Sequence, residues 1–584
     1  MKHFLKLVLA VVVGLGVSAF LFVVFIAIVA GASGSSTSPV EDNSVLKLNF
    51  NYTINDRTKM EDIDLMSGQF SIGEVLGLEE IIKTIEAAKT DSKIKGIYIE
   101  MSTMPNSFAT IDALRRALID FKTSGKFVMA YGEYVAQKSY YLASVADNIY
   151  INPEGLVEMR GIGTQLTFFK KFLDNLEAKV EVFKVGTFKS AIEPFILEEA
   201  SDANRLQLEY LLGGVKEDFI NNISKDRKMD KAKLEQYINE LAFSSADTSA
   251  QLGLIDAAKY YDEVLSEMMT KMGLAKTEDI KFVTLSKYNA SLVLDKKTAD
   301  KKIAVVYAEG DIVSGKAKDA LSSEEYAEII SKLRQDDEVK AIVLRINSPG
   351  GSALASEVIW REIEKAKETK KVVVSMGSVA ASGGYYIACN ADRIFAEENT
   401  ITGSIGVFGL VPNIEKFLEN KVGVTFDEVN LNTHASMNGV TNELDDYEKS
   451  VIQKGVDKVY DTFTKRVAAG RGMHQDSVKV YAEGRVWTGE QAKKIGLVDE
   501  IGDLRSAIKY AAKLIETEDY EIQEFPRKKE QIEEILEQFG METVKENMLK
   551  KELGAMYPYY KETKKLEAGF NTVQAKLPFV LEIK

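Results

Sequence analysis

The sequence predicts two consecutive α/β domains with largely parallel sheets, and two observations carry that prediction. A repeat runs through the chain at a constant offset of 245 residues. Within each copy, short β-branched runs alternate with amphipathic stretches, the pattern of βαβ units. Lys126, Val128, Gly132, Ala136, Tyr140, Tyr141, Ala143, Ala146, Asp147 and Ile149 recur as Lys371, Val373, Gly377, Ala381, Tyr385, Tyr386, Ala388, Ala391, Asp392 and Ile394. The register holds further on, where Gly161, Phe172, Leu173 and Asn175 recur as Gly406, Phe417, Leu418 and Asn420. In the second copy the alternation runs from Val339 to Asn347, then Ala353 to Thr369, then Lys371 to Met376. Such apolar runs suit strands covered on both faces by helices. The copies are expected to span residues 45–295 and 300–520 of the 584-residue chain.

Ahead of the first copy, Leu7 to Ala32 carries no charge. As a helix it would span ~39 Å, enough to cross a hydrocarbon core of ~30 Å with tilt. Lys2 and Lys6 precede it and Glu41 and Asp42 follow it. The positive-inside rule then leaves residues 1–6 as a cytoplasmic tail, 7–32 as a single membrane-crossing anchor, 33–44 as a polar linker, and the repeats on the periplasmic or outer side. The alternative is a cleaved secretory signal, for which Ala30-Gly31-Ala32 has the small-x-small form. Apolar cores of such signals run only ~7 to 15 residues, and either reading exports the repeats. Residues 521–584 are rich in Glu and Lys, with an amphipathic pattern from Gln531 to Phe539, and read as a charged extension with a solvated face.

Composition removes several functions. A formal net charge of -14 argues against a nucleic-acid surface, which needs a cationic footprint. One cysteine, Cys389, excludes an intramolecular disulfide framework and a multi-cysteine zinc site. The three histidines, His3, His434 and His474, are too few for a histidine-rich metal centre. No cofactor or metal is signalled.

Two loops of the second copy carry chemistry. One strand runs into Asn347-Ser348-Pro349-Gly350-Gly351-Ser352, and the next into Gly377-Ser378-Val379-Ala380-Ala381-Ser382-Gly383-Gly384-Tyr385-Tyr386. Paired glycines allow close backbone approach to a ligand, and their amides suit an oxyanion hole, although a Pro-Gly-Gly turn by itself is ordinary. Ser382 stands at a helix start, where an N-cap is its plain role. Both loops follow neighbouring strands at their carboxyl ends, where open α/β sheets place their sites.

Asn-Ser-Pro-Gly-Gly-Ser followed by Ala-Ala-Ser-Gly-Gly-Tyr resembles the signal peptide peptidase A (protease IV) family, in its long form with two tandem repeats. The Clp protease catalytic subunit has a looser version. The resemblance extends to Arg485-Val486-Trp487-Thr488-Gly489 and Gly496-Leu497-Val498-Asp499. It implies two crotonase-like (Clp-protease-like) domains, Ser382 as nucleophile, and an oxyanion hole of Gly350, Gly351 and Gly383. It also implies a lysine base in the segment matching Val185-Gly186-Thr187-Phe188-Lys189-Ser190-Ala191-Ile192-Glu193-Pro194-Phe195, which makes Lys189 the candidate. Ser404, in the family-like Thr402-Gly403-Ser404-Ile405-Gly406, is expected to position the amine.

The repeat supplies a separate argument. At the same offset, Ser382 corresponds to Gln137 and Lys189 to His434, so each copy keeps half of a dyad. Duplication of an ancestor bearing both residues, followed by complementary loss, explains the pattern, and half-length bacterial relatives that pair a serine and a lysine from adjacent subunits are similar to that ancestor. The site is then expected between the repeats. For Lys189 to accept a proton near neutral pH, burial must lower its pKa from ~10.4. A rival pairing of Ser382 with His434 inside the second copy needs no such shift. A crotonase-type acyl-CoA enzyme and a non-catalytic membrane scaffold are the readings outside proteolysis. The resemblance implies a substrate of hydrophobic remnant signal peptides, bound as extended strands at a bacterial inner (cytoplasmic) membrane, a lipid-embedded anchor, and a homotetramer.

Overall fold

The computed structural model describes residues 40–60, 74–292, 299–317, 320–437, 439–527, 541–557 and 572–577, with isolated positions elsewhere. The expected anchor, 7–32, lies outside the described residues except for helical Val13, Gly14 and Val17. Among the described residues no helix is long and apolar enough to cross a membrane.

Each repeat builds a sheet of the same topology. In the first, the spatial order is Ala257–Ala258, Asn148–Glu158, Phe127–Ala136, Ile94–Met101, Ser44–Leu48 and Lys281–Thr284, all parallel. In the second, Glu500–Ile501, Arg393–Ala396, Lys371–Ala381, Val339–Ser348, Lys302–Glu309 and Glu521–Phe525 follow in the same order, again parallel. Glu521–Phe525 falls in the segment expected as a charged extension, yet it is the counterpart of Lys281–Thr284. An edge strand leaves its side chains half in solvent, so its two glutamates give no sequence sign of a sheet.

Local signals agree with this architecture. Ser107 and Ser352, at the same repeat position, cap the 15-residue helices Phe108–Lys122 and Ala353–Lys367, accepting from the amides of Thr110 and Ala355. Such a cap stabilises a helix by ~1 kcal/mol. In the second helix Ala355, Ile359, Ile363 and Ala366 are buried at helical spacing, while Leu354 faces solvent. Full burial of each isoleucine is worth ~1.5 to 3 kcal/mol.

The repeats meet through polar groups as well as apolar ones. Asp56 of the first and Arg345 of the second form a buried ion pair at 2.9 Å. Asn399 donates to Asp112 at 2.8 Å, and Arg505 donates to Glu79 at 2.7 Å. A further sheet is shared: Lys179–Val185 of the first repeat runs antiparallel to Val407–Asn413 of the second, with Val185 opposite Val407 and Lys179 opposite Asn413. Its remaining strands are Val573–Lys576, Gly350–Ser352, Ile312–Val313 and Leu321–Ser322. This shared sheet brings chain from both repeats to one place.

Candidate active site

Ser382 stands where the Lys371–Ala381 strand turns into the Gly383–Ala388 helix. Its backbone takes φ +54 and ψ -112, a sparsely populated conformation for a residue with a side chain, at a cost of ~1 to 3 kcal/mol. Two backbone bonds hold it: Ser382 N donates to Gly403 O, and Tyr386 N donates to Ser382 O, both at 2.8 Å. Ser382 occupies the N-cap position but its side chain makes no capping bond. The Oγ instead lies 3.0 Å from Lys189 Nζ and donates weakly to Gly406 O at 3.5 Å.

Lys189 reaches this place from the other repeat. Past Val185 the chain turns at Gly186, where a Cβ would lie 2.5 Å from the backbone carbonyl carbon of Glu483. Phe188 N then donates to Glu483 O at 2.8 Å, and Thr187 N to the Glu483 carboxylate at 2.9 Å. Gly484, at φ +80, lets the two segments touch, since a Cβ there would lie 2.6 Å from Lys189 N. The lysine backbone is thus wedged against the second repeat, and its side chain points inward.

Lys189 and Ser382 are both fully buried. The amine donates to Ser404 Oγ at 3.0 Å and to Ser404 O at 3.3 Å, and lies 5.9 Å from the centre of the Phe408 ring. Desolvation holds its pKa well below the ordinary 10.5, with no carboxylate of the described residues offsetting the effect. The amine is therefore equipped to be neutral and to accept a proton from the serine. Ser404 itself sits at φ +51, fixed by the 2.8 Å hydrogen bond that its neighbour Gly403 O accepts from Ser382 N and by its own amide, which donates to Arg485 O at 2.7 Å.

The glycines named from sequence surround the same point. Gly350 and Gly351 take φ +97 and +158, and a Cβ on Gly350 would lie 2.7 Å from Gly383 N. The Gly350 amide donates to Ser348 Oγ at 3.2 Å and is already engaged. Gly383 opens its helix, so its amide lacks an intrahelical partner.

The corresponding place in the first repeat is filled. Gln137 Oε1 accepts from the amides of Arg160 and Gly161, and its Nε2 donates to Gly161 O at 2.8 Å. His434 is drawn elsewhere, bonded to Glu448 at 2.9 Å and stacked on Tyr447. With Asp445 it makes a three-ligand cluster, but Asp445 and Glu448 are the capping box of the Asp446–Arg471 helix, which accounts for their convergence. Cys389 is no competing nucleophile, because burial pushes its thiol up to about 12. Sequence reading missed Gly484, which precedes the Arg485 motif, and the Val573–Lys576 strand, whose only local sign is the Val-Gln-Ala-Lys alternation.

Comparison with known proteins agrees with this architecture. The model of Peptidase family S49 matches residues 120–275 and 364–518, one stretch in each repeat, and the model of Clp protease matches residues 295–401. The chain is 34% identical to Protease 4 of Haemophilus influenzae over 76% of its own length and 74% of that protein. It is 36% identical to Protease 4 of Salmonella typhi, covering 75% of this chain and 72% of that one. It is 30% identical to the chloroplastic Serine protease SPPA of Arabidopsis thaliana, covering 77% and 67%.

Proposed function

This chain belongs to peptidase family S49 and is a serine-type protease, and from that premise we propose that it is a membrane-anchored endopeptidase that degrades cleaved signal peptides with a dyad of Ser382 and Lys189. One observation carries the dyad: the two side chains, from different repeats, lie 3.0 Å apart in a place closed to solvent.

In this reading neutral Lys189 takes the Ser382 proton as Oγ attacks the peptide carbonyl, then gives it to the departing amine. Water hydrolyses the resulting ester, with Lys189 accepting the water's proton. Ser404 holds Nζ in line, and the amides of Gly351 and Gly383 receive the developing negative oxygen. Residues 7–32 cross the bacterial cytoplasmic membrane, which sets the repeats on its periplasmic side near hydrophobic peptides left in the bilayer. The assembly is a homotetramer.

The test is hydrolysis of a fluorogenic apolar peptide by the full chain in detergent, comparing wild type with Ser382→Ala, Lys189→Ala and His434→Ala, all checked for folding. The dyad requires that the first two substitutions abolish turnover and the third does not. Loss at His434 with Lys189 dispensable would move the base into the second repeat.

A further inference from the structure

The motif Arg485-Val486-Trp487-Thr488-Gly489 carries part of the family resemblance, yet the dyad chemistry does not use it. It begins one position after Gly484, where the second repeat touches Lys189. Its strand, Val486–Thr488, runs antiparallel to Ile401–Gly403 with Trp487 opposite Thr402, so the motif lies beside the chain that leads into Ser404.

The guanidinium of Arg485 is surrounded by aromatic rings. Its Cζ lies 4.5 Å from the centre of the Trp487 ring, 5.1 Å from that of Tyr210 and 5.2 Å from that of Phe188. Its Nε is buried without a hydrogen-bond partner, and among the described residues no carboxylate pairs with it. A cation over aromatic faces is attracted by the ring quadrupoles, most strongly where water is excluded. Phe188 and Tyr210 come from the first repeat and Trp487 from the second. Trp487 is buried, its Nε1 donates to Tyr481 O at 3.2 Å, and the Tyr210 ring stands edge-on to it at 5.7 Å. Tyr210 is tied to the second repeat again where its carbonyl accepts from Gln491 Nε2 at 2.9 Å.

Both parts of Arg485 lead to the amine of Lys189. The side chain packs on Phe188, the residue before the lysine. The main-chain carbonyl accepts from the Ser404 amide at 2.7 Å, and Ser404 Oγ is the partner of Nζ at 3.0 Å. One residue thus sets the lysine segment against the hydroxyl that orients the amine. Glu483 packs on the same segment, its carboxylate accepting from Thr187 N at 2.9 Å and facing Tyr460 OH at 3.5 Å. The first repeat, where Gln137 fills the corresponding place, lacks the arrangement. Gly253-Leu254-Ile255-Asp256 matches Gly496-Leu497-Val498-Asp499, and in that register Arg485 and Trp487 correspond to Ala242 and Ser244. The cation and its indole stand only in the repeat against which Lys189 is pressed.

We propose that Arg485 is a positioning residue for Lys189: its guanidinium, held by Phe188, Tyr210 and Trp487, locks the lysine segment onto the second repeat and keeps water from the amine. The inference rests on the reading of Ser382 and Lys189 as the dyad, and Arg485 itself enters no proton transfer. Without the cation the Phe188 segment loosens and the amine shifts from Ser382 Oγ. Water admitted beside the amine then favours its charged form, so turnover falls and its acid limb moves to higher pH.

The test measures kcat, KM and the pH profile of kcat/KM on a fluorogenic apolar peptide, with the full chain in detergent. It compares wild type with Arg485→Met, Arg485→Lys, Tyr210→Leu, the Arg485→Met/Tyr210→Leu double variant and Lys189→Ala. Arg485→Met keeps most of the volume and loses the charge. It is expected to lower kcat about a hundredfold, the scale for a reacting group misplaced by about an ångström, with KM little changed and the acid limb moved upward. Arg485→Lys returns a cation to the rings and should recover about tenfold of that loss. Tyr210→Leu alters a half-exposed ring and should lower kcat in the same direction; in its background Arg485→Met should cost less than in wild type. A folded Arg485→Met with wild-type kcat, or with a lower kcat and an unmoved acid limb, overturns the inference and leaves the dyad standing if Lys189→Ala is inactive. If Arg485→Met does not fold, wild-type kcat and an unmoved limb in both Arg485→Lys and Tyr210→Leu overturn it. Turnover retained by Lys189→Ala removes the dyad reading, and this inference with it.

Discussion

Replacing Lys189 by methionine should remove catalysis and strengthen the fold, and the gain should depend on pH in a defined way. Lys189 is fully buried and its pKa is held well below 10.5 by desolvation. Between its folded value and 10.5, the unfolded chain binds one proton that the folded chain does not. Stability therefore rises with pH across that window, is fully present above 10.5, and is lost as pH falls toward the folded value, by about 1.4 kcal/mol for each pH unit. Methionine has similar volume and no proton to bind, so it escapes this penalty. The difference in stability between Lys189→Met and wild type should be largest at the acid end of the window and shrink toward zero near pH 10.5. For a unit of 150 to 250 residues each kcal/mol moves Tm by about 2 to 4 °C. Thermal melts of both chains at half-unit steps from pH 6 to 10 measure the slope. A difference that is flat with pH, or a methionine variant less stable at every pH, would refute the argument that Lys189 is buried neutral.

The turnover of wild type should rise with pH through the lowered Lys189 pKa and reach its plateau well below 10.5, read from the acid limb of a kcat/KM profile. Ser404→Ala removes a 3.0 Å partner of Nζ and should lower kcat about ten- to a hundredfold, the equivalent of a lost buried hydrogen bond, with KM little changed. Gly484→Ala puts a Cβ 2.6 Å from Lys189 N at φ +80, so it should lower both Tm and kcat, whereas an alanine at exposed Gly125, where nothing lies within 4 Å, should cost only about 1 kcal/mol of backbone strain and leave kcat alone. Asp56→Ala leaves the Arg345 guanidinium buried without its carboxylate and should destabilise by about 3 to 5 kcal/mol in denaturant melts.

Much of this was legible in the sequence because it depended on local pattern. The 245-residue offset and the βαβ alternation within each copy carried the two parallel α/β repeats. The offset also separates the candidate dyad into halves, Gln137 against Ser382 and Lys189 against His434. The shared sheet was not legible. Its strands pair across hundreds of residues, and such pairing is decided by which edges the two repeats leave open, not by periodicity within a segment. For the same reason Glu521–Phe525 and Val573–Lys576 read as charged extension although both are strands. The engaged amide of Gly350 likewise depends on the rotamer of Ser348, which no motif encodes.

The division of the proposed dyad between repeats also bears on inheritance. Because the copies share a register, recombination between them deletes one 245-residue unit in frame. A crossover before Gln137 keeps Ser382 and His434; one between Gln137 and Lys189 keeps Gln137 and His434; one after Lys189 keeps Gln137 and Lys189. None of these shortened chains holds both a serine and a lysine at the site, whereas the reciprocal product, with three units, holds both. The arrangement is a ratchet: by the exchange that its own symmetry invites, such a gene can lengthen and keep both members of the proposed dyad, but it cannot shorten to a single unit that holds both.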